Sequence, residues 1–163
     1  MEQECGSLEE QVVSMLAQQE LHVCCAESCT GGLLSATLIN VSGASDVLNE
    51  GYVTYSNEAK HRLLAVSNET LETLGAVSPE TAAQMAVGAG RAASARVGLS
   101  TTGIAGPGGG TPEKPVGLVY IGLSLGEVVY AAECHFTGDR AMVRQQTVKQ
   151  ALALLLQRLK TTC

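Results

Sequence analysis

Two residue types able to attack a carbonyl stand side by side in the stretch AESCTGG, residues 26–32: Ser28 and Cys29. An apolar run over residues 21–25 precedes them and Leu33-Leu34 follows, so the pair sits where a strand ends and a helix is about to begin. Backbone N–H groups at such a junction point toward developing negative charge, which suits acyl transfer through an alcohol or a thiol. Cysteine is the better nucleophile at neutral pH. Neighbouring side chains along a strand face opposite ways, however, so only one of the two is expected in a cleft. The plainer role of Ser28 or Thr30 is to cap the helix, and the residues alone leave both readings open.

Three other clusters carry chemistry-bearing groups. Tyr55, Ser56, Asn57 and Lys60 place a lysine about one turn into a helix, a position that ordinarily faces solvent. The glycine-rich TTGIAGPGGGTPEKPVG, residues 102–117, leaves the C-terminal end of a strand, the edge at which open α/β sheets bind ligands. It has neither the Gly-Lys-Ser/Thr of a Walker loop nor a G-x-G-x-x-G opening a helix. Its glycines allow backbone N–H groups to approach an anion or an amide, while a long flexible turn is the plainer reading and Lys114 reads as a solvated charge. Arg140 and Arg144, four apart after Asp139, share a helix face. That face suits a phosphate or carboxylate, or else an ordinary surface of ion pairs.

These groups need a scaffold, and composition bounds it. At 163 residues and 45% hydrophobic the chain buries one core, so residues 1–163 are read as a single domain. The net charge of -6 offers no basic footprint, which sets nucleic acid aside as a partner. No run approaches the roughly 18 apolar residues of a membrane span, and the acidic residues 1–4 are unlike a secretory signal; no membrane partner and a cytoplasmic location are expected. Of the six cysteines, Cys24 and Cys25 are adjacent in an apolar run, as suits reduced, buried thiols. A metal site on Cys24, Cys25 and Cys29 is the sharper alternative, but there is no C-x-x-C pair and His22, His61 and His135 fall in no ligand spacing, so no metal is expected.

The elements follow from periodicity and punctuation. Ser7 caps a helix reaching about Gln19, residues 21–26 read as a strand covered on both faces, and Gly31-Gly32 opens a helix through Leu33, Leu34, Ala36, Leu38 and Ile39. Residues 51–55 are rich in β-formers, Asn57 and Asn68 read as caps of two short helices, and Ser78-Pro79-Glu80 is the strongest helix start. Gly88, Gly90, Ala92 and Ala93 suggest close packing on a sheet. Strands are expected over residues 97–102, 117–125 and 128–136, the last two forming a hairpin through Gly126-Glu127. A closing helix begins at or just after Asp139, with Val143, Val148, Ala151, Leu152, Leu155 and Leu159 on its inner face. The sum is a three-layer α/β/α domain with a mixed β-sheet.

Taken together, AESCTGG, GYVTYSNEAK, GAVSPETA, TTGIAGPGGGTPEKPVG and TGDRAMVRQQ resemble the CinA C-terminal domain family, the nicotinamide mononucleotide amidohydrolases. The resemblance runs from about Leu8 to Leu159 and reads as the stand-alone form, without the extra N-terminal domain of longer members. It implies hydrolysis of the carboxamide of nicotinamide mononucleotide to the nicotinate nucleotide and ammonia, a homo-oligomer, and no cofactor. It places the nucleophile on Ser28 and the catalytic lysine on Lys60, with Tyr55, Thr102 and Arg140 around them. Substrate contacts are expected from Cys29, Thr30 and Gly31 in the turn, from Gly103 and Gly106 in the glycine-rich loop, and from Arg144.

Under this reading Ser28 attacks the amide carbon and neutral Lys60 takes its proton. A reference pKa of ~10.4 must then fall by roughly three units, through burial or a neighbouring arginine such as Arg140. A pyridine-nucleotide-binding module without turnover, an amidase of different substrate and a nucleotide pyrophosphatase are the rivals. The last ordinarily needs magnesium, for which Asp46 and Asp139, the only aspartates, make a poor cluster.

Overall fold

The computed structural model describes residues 6–162, so the acidic residues 1–4 lie outside the described residues. Helix starts follow from short polar side chains that satisfy otherwise unpaired N–H groups. Ser7 accepts from the N–H of Glu10 while the Glu10 carboxylate takes the N–H of Ser7, a reciprocal box that opens α1 (Leu8–Gln18). Ser56 opens α3 (Asn57–Leu64) and Ser67 opens α4 (Asn68–Thr73), so the expected caps Asn57 and Asn68 are the first helical residues instead. In each case the preceding serine hydroxyl already accepts the N–H three residues on. Ser78 caps α5 (Pro79–Ala92), whose first residue is proline, and Asp139 caps α6 (Arg140–Thr161). Between α1 and α3, α2 (Leu33–Ile39) starts after Gly32, which has φ +105° and no side chain to cap with.

Five strands, β1 (Val23–Glu27), β2 (Leu48–Val53), β3 (Val97–Gly103), β4 (Leu118–Leu125) and β5 (Val128–His135), form one mixed sheet in the order β2-β1-β3-β4-β5. β1 runs parallel to both β2 and β3, and β4 and β5 continue the sheet as an antiparallel hairpin turned by Gly126-Glu127. The second strand begins earlier than its β-formers suggest and ends at Val53, because Leu48 already pairs with Val23; Tyr55 is left in the loop beyond it.

Alternation along β1 divides the core. Val23 and Cys25 face α1, α2 and α6 in the larger apolar cluster, which includes Leu16, Leu38, Leu152 and Leu155. Cys24 and Ala26 face the other way, against Leu64 of α3, Leu71 of α4 and Met85 and Ala89 of α5. Helices therefore cover both faces, giving three layers. The approach of α5 to the sheet is close enough that a Cβ at Gly98 would overlap the Ala86 carbonyl, and one at Gly122 the Ala82 carbonyl. Gly88 serves a different contact, against Leu64 of α3, and Ala92 is exposed. Among the described residues no helix is long and apolar enough to cross a membrane.

Candidate active site

Three parallel strands discharge their chains at one edge of the sheet, and the parallel topology alone gathers the chemistry there. β1 ends at Glu27 and delivers Ser28; β2 ends at Val53 and leads through Thr54 and Tyr55 into α3 with Lys60; β3 delivers Thr102 and Gly103. These segments wall a cavity of about 210 Å³ lined by Ser28, Cys29, Tyr55, Lys60, Ala76, Val77, Thr102, Gly103, Ala105 and Arg140. A groove of about 340 Å³ between α1, α2 and α6 is larger, but its lining, with Leu8, Leu33, Val148 and Leu152, holds no serine or cysteine.

Within the cavity Lys60 Nζ donates to Ser28 Oγ at 3.0 Å and to the Thr54 carbonyl at 2.8 Å. The lysine is 1% exposed, the reverse of what an isolated lysine in a helix suggests. Its burial follows from where α3 lies: Leu64, one helical turn further on, is buried against Cys24 and Ala26, and the same face carries Lys60 over the end of β1. Desolvation lowers its pKa to about 8, with the Cys29 thiol pulling weakly the other way. Burial, and not Arg140, supplies the shift; Arg140 is exposed at the cavity rim.

Both Ser28 and Cys29 line the cavity, contrary to the strand-alternation expectation, because β1 stops at Glu27 and strand geometry no longer governs the turn. Their surroundings differ. Cys29 packs in the larger core cluster, and burial holds its thiol up at about 11, partly offset by its own N–H and the Thr101 hydroxyl. It is a protonated thiol at neutral pH, and of the two only Ser28 is hydrogen-bonded to the amine.

The other expected residues divide into those at the cavity and those behind it. Arg140 Nη1 donates to the Gly106 carbonyl at 2.9 Å and Nη2 to the Tyr55 hydroxyl at 3.3 Å, tying α6, the glycine-rich loop and the β2–α3 loop together at the rim. Thr102 donates to the Ala76 carbonyl at 2.7 Å. Gly103 lines the wall, whereas Gly106 turns its carbonyl to Arg140. Thr30 is buried, its hydroxyl against Glu27 at 2.6 Å and Thr101 at 2.7 Å. Gly31 takes φ +57° in the turn, and Arg144 donates to the carbonyls of Cys29 and Thr30 rather than reaching into the cavity. Lys114 is not a free surface charge: it donates to the Leu74 carbonyl, pinning the glycine-rich loop to the end of α4.

One residue central to this arrangement carries no sequence expectation. Glu27, fully buried, accepts from the Thr30 hydroxyl, the N–H groups of Gly32, Leu34 and Ser35, and the Ser35 hydroxyl. It supplies the N-terminal acceptor that glycine cannot give α2. The available signal was a carboxylate just ahead of a helix that begins with glycines and has no cap of its own. Among the described residues no three His, Cys, Asp or Glu side chains converge as a ligand set, and Cys24 and Cys25 point to opposite sides of β1.

A buried amine against an alcohol, with N–H groups following the alcohol in a turn, is equipped for nucleophilic acyl transfer. Comparison with known proteins bears on which family carries this arrangement. The family model described as the CinA C-terminal domain matches residues 6–159. A Clostridium acetobutylicum protein, provisionally named a competence-damage inducible protein, is 54% identical over 146 residues, covering 90% of this chain and 36% of its own length. The chain thus spans little more than a third of the curated relatives it matches. Among solved structures, a competence/damage inducible protein from Agrobacterium tumefaciens superposes with a TM-score of 0.90 at 42% identity, covering 98% of this chain and 99% of that one. A CinA superfamily protein from Klebsiella pneumoniae superposes with a TM-score of 0.91 at 34% identity, covering 94% and 96%. The chain belongs to the CinA C-terminal domain family.

Proposed function

We propose that this protein is a serine amidohydrolase that converts nicotinamide mononucleotide to nicotinate mononucleotide and ammonia. The observation that carries the reading is the 3.0 Å approach of Lys60 Nζ to Ser28 Oγ inside a cavity where burial lowers the amine to about 8. Neutral Lys60 accepts the Ser28 proton as Oγ bonds to the carboxamide carbon. On collapse of the tetrahedral intermediate the C–N bond breaks and Lys60 passes that proton to the departing ammonia. Water then adds to the acyl ester with Lys60 again as base, releasing the carboxylate and regenerating Ser28.

Size and charge support a nucleotide-sized substrate held by its reacting end. A cavity of about 210 Å³ is below the ~300–1,000 Å³ of sites that engulf a whole ligand. The carboxamide-bearing ring occupies it, and the ribose and phosphate lie across the rim, where the exposed Arg140 is the cation in reach.

The test is ammonia release from nicotinamide mononucleotide by wild type, Ser28→Ala and Lys60→Ala, each checked for folding by circular dichroism. Turnover in wild type and loss of at least about 10³-fold in both variants is expected, the scale of removing a nucleophile or its base. Tight binding of the nucleotide by wild type with no ammonia released refutes the reading in favour of a binding module.

A further inference from the structure

The turn that follows Ser28 has an uneven distribution of hydrogen bonds. The Ser28 N–H goes to the Thr101 carbonyl, the Gly31 N–H to the Ser28 carbonyl and the Gly32 N–H to Glu27. The N–H groups of Cys29 and Thr30, in residues that are 6% and 0% exposed, bond to no carbonyl or side-chain oxygen among the described residues, and the Cys29 N–H meets only its own thiol. Buried backbone donors are seldom left so. Here they flank the one alcohol that has a base beside it.

Two side chains of opposite charge hold this turn through different groups, Glu27 through donors and Arg144 through carbonyls. Glu27 takes donors from Thr30, Gly32, Leu34 and Ser35 with both of its oxygens. From α6, Arg144 donates Nε to the Cys29 carbonyl at 3.1 Å and Nη2 to the Thr30 carbonyl at 2.8 Å. These peptides are trans, and in a trans peptide the carbonyl and the following N–H point in opposite directions. Drawing the Cys29 carbonyl to Arg144 therefore turns the Thr30 N–H away from α6.

We propose that Glu27 and Arg144 are positioning residues: together they hold turn 28–32 so that the N–H groups of Cys29 and Thr30 stand ready for the oxygen that becomes negative when Ser28 attacks. The inference rests on Ser28 being the nucleophile. It assigns Arg144 to the turn, where its fork matches two successive carbonyls, and not to the substrate phosphate. The charge of Glu27 is felt inside the turn, where it raises the Cys29 thiol. For Lys60, burial and Cys29 are the influences, and neither clamp residue is among them.

The test uses the full chain with Arg144→Met, Arg144→Lys and Glu27→Gln, measuring kcat and KM for ammonia release from nicotinamide mononucleotide, the pH midpoint, and hydrogen exchange at the Gly31 and Gly32 amides. Arg144→Met is expected to lower kcat by about 10- to 100-fold with KM within about three-fold, since misplaced oxyanion donors act on the transition state. Exchange at both glycines should quicken by at least about ten-fold while the pH midpoint stays. Arg144→Lys should recover part of kcat, because one ammonium replaces a two-pronged fork. Glu27→Gln, which sets an amide NH2 against existing donors, should act in the same direction; should it fail to fold, the Arg144 pair decides. A raised KM with kcat intact in Arg144→Met overturns the proposal and gives Arg144 to the phosphate, and unchanged glycine exchange overturns it outright. If wild type releases no ammonia, the amidohydrolase reading falls, and the exchange measurement still decides whether these residues hold the turn.

Discussion

Replacing Lys60 by methionine should stabilise the protein near neutral pH, and the size of the effect should shrink as the pH rises. An unfolded lysine titrates at 10.5, whereas the buried one titrates at about 8. Each pKa unit is worth about 1.4 kcal/mol, so at pH 7, where both states are protonated, the buried ammonium costs the fold roughly 3 kcal/mol. Between about 8 and 10.5 the native state loses its proton while the unfolded state keeps it. The unfolded state then binds more protons, stability rises with pH, and about 2 kcal/mol of the cost is relieved by pH 9.5. Methionine fills similar space without a charge. It leaves the Thr54 carbonyl without the 2.8 Å bond, a loss of about 1 kcal/mol that does not depend on pH. The expected gain is therefore roughly 2 kcal/mol at pH 7, falling to near zero at pH 9.5. The raised thiols of Cys24 and Cys25 also affect alkaline stability, but they are common to both proteins and cancel in the difference; the Cys29 thiol, lowered by Lys60 and still at about 11, rises further without the amine and so stays protonated in both folded proteins up to pH 9.5. Urea unfolding of both proteins at half-unit intervals measures this. A difference constant from pH 7 to 9.5 means that the amine titrates as an ordinary lysine, and the base assigned to Ser28 is then a cation throughout the working range.

The same titration predicts that kcat/KM for ammonia release climbs about ten-fold per pH unit below a midpoint near 8 and levels above it, since only the neutral amine takes the serine proton; a flat profile between pH 6.5 and 9 contradicts it. Cys29→Ala should keep kcat within about five-fold, because burial holds that thiol protonated at about 11 and the base lies on the neighbouring alcohol; loss comparable to Ser28→Ala would transfer the nucleophile to the thiol. Gly98→Ala should cost about 1–3 kcal/mol or more in urea unfolding, because the added methyl meets the Ala86 carbonyl and α5 must lift from the sheet; unchanged stability would mean that this contact is looser than described.

The fold was legible wherever a local pattern and burial agree. The run over residues 21–26 reads as a covered strand because β1 is buried along its whole length, and Ser78-Pro79 reads as a helix start because each residue can do little else there. The inner face of α6 shows the same agreement, with Leu152, Leu155 and Leu159 buried as their spacing implies. The cavity was legible only in part. Ser28 announces itself by its place between strand and helix, but Lys60 has the local signature of a solvated residue. Only the packing of α3 across the end of β1 buries it. The Arg140 and Arg144 spacing correctly places both on one helix, yet their carbonyl partners lie 34 and about 115 residues away in sequence, beyond any local pattern. Glu27 escaped for the opposite reason: a carboxylate at a strand end looks exposed until α2 folds its N–H groups back onto it.

No residue of β4 or β5 lines the cavity; its walls come from the turn after β1, the loop after β2 and α3 that follows it, the end of β3 and the loop beyond it, the segment before α5 and the start of α6. The antiparallel hairpin widens the sheet and packs chiefly against α5, with Val128 and Val129 exposed beside its turn. Labour in this sheet is thus divided lengthwise. Under the proposed function, substitutions in the hairpin are expected to change stability, whereas a single altered residue at the tips of the parallel strands is expected to change turnover.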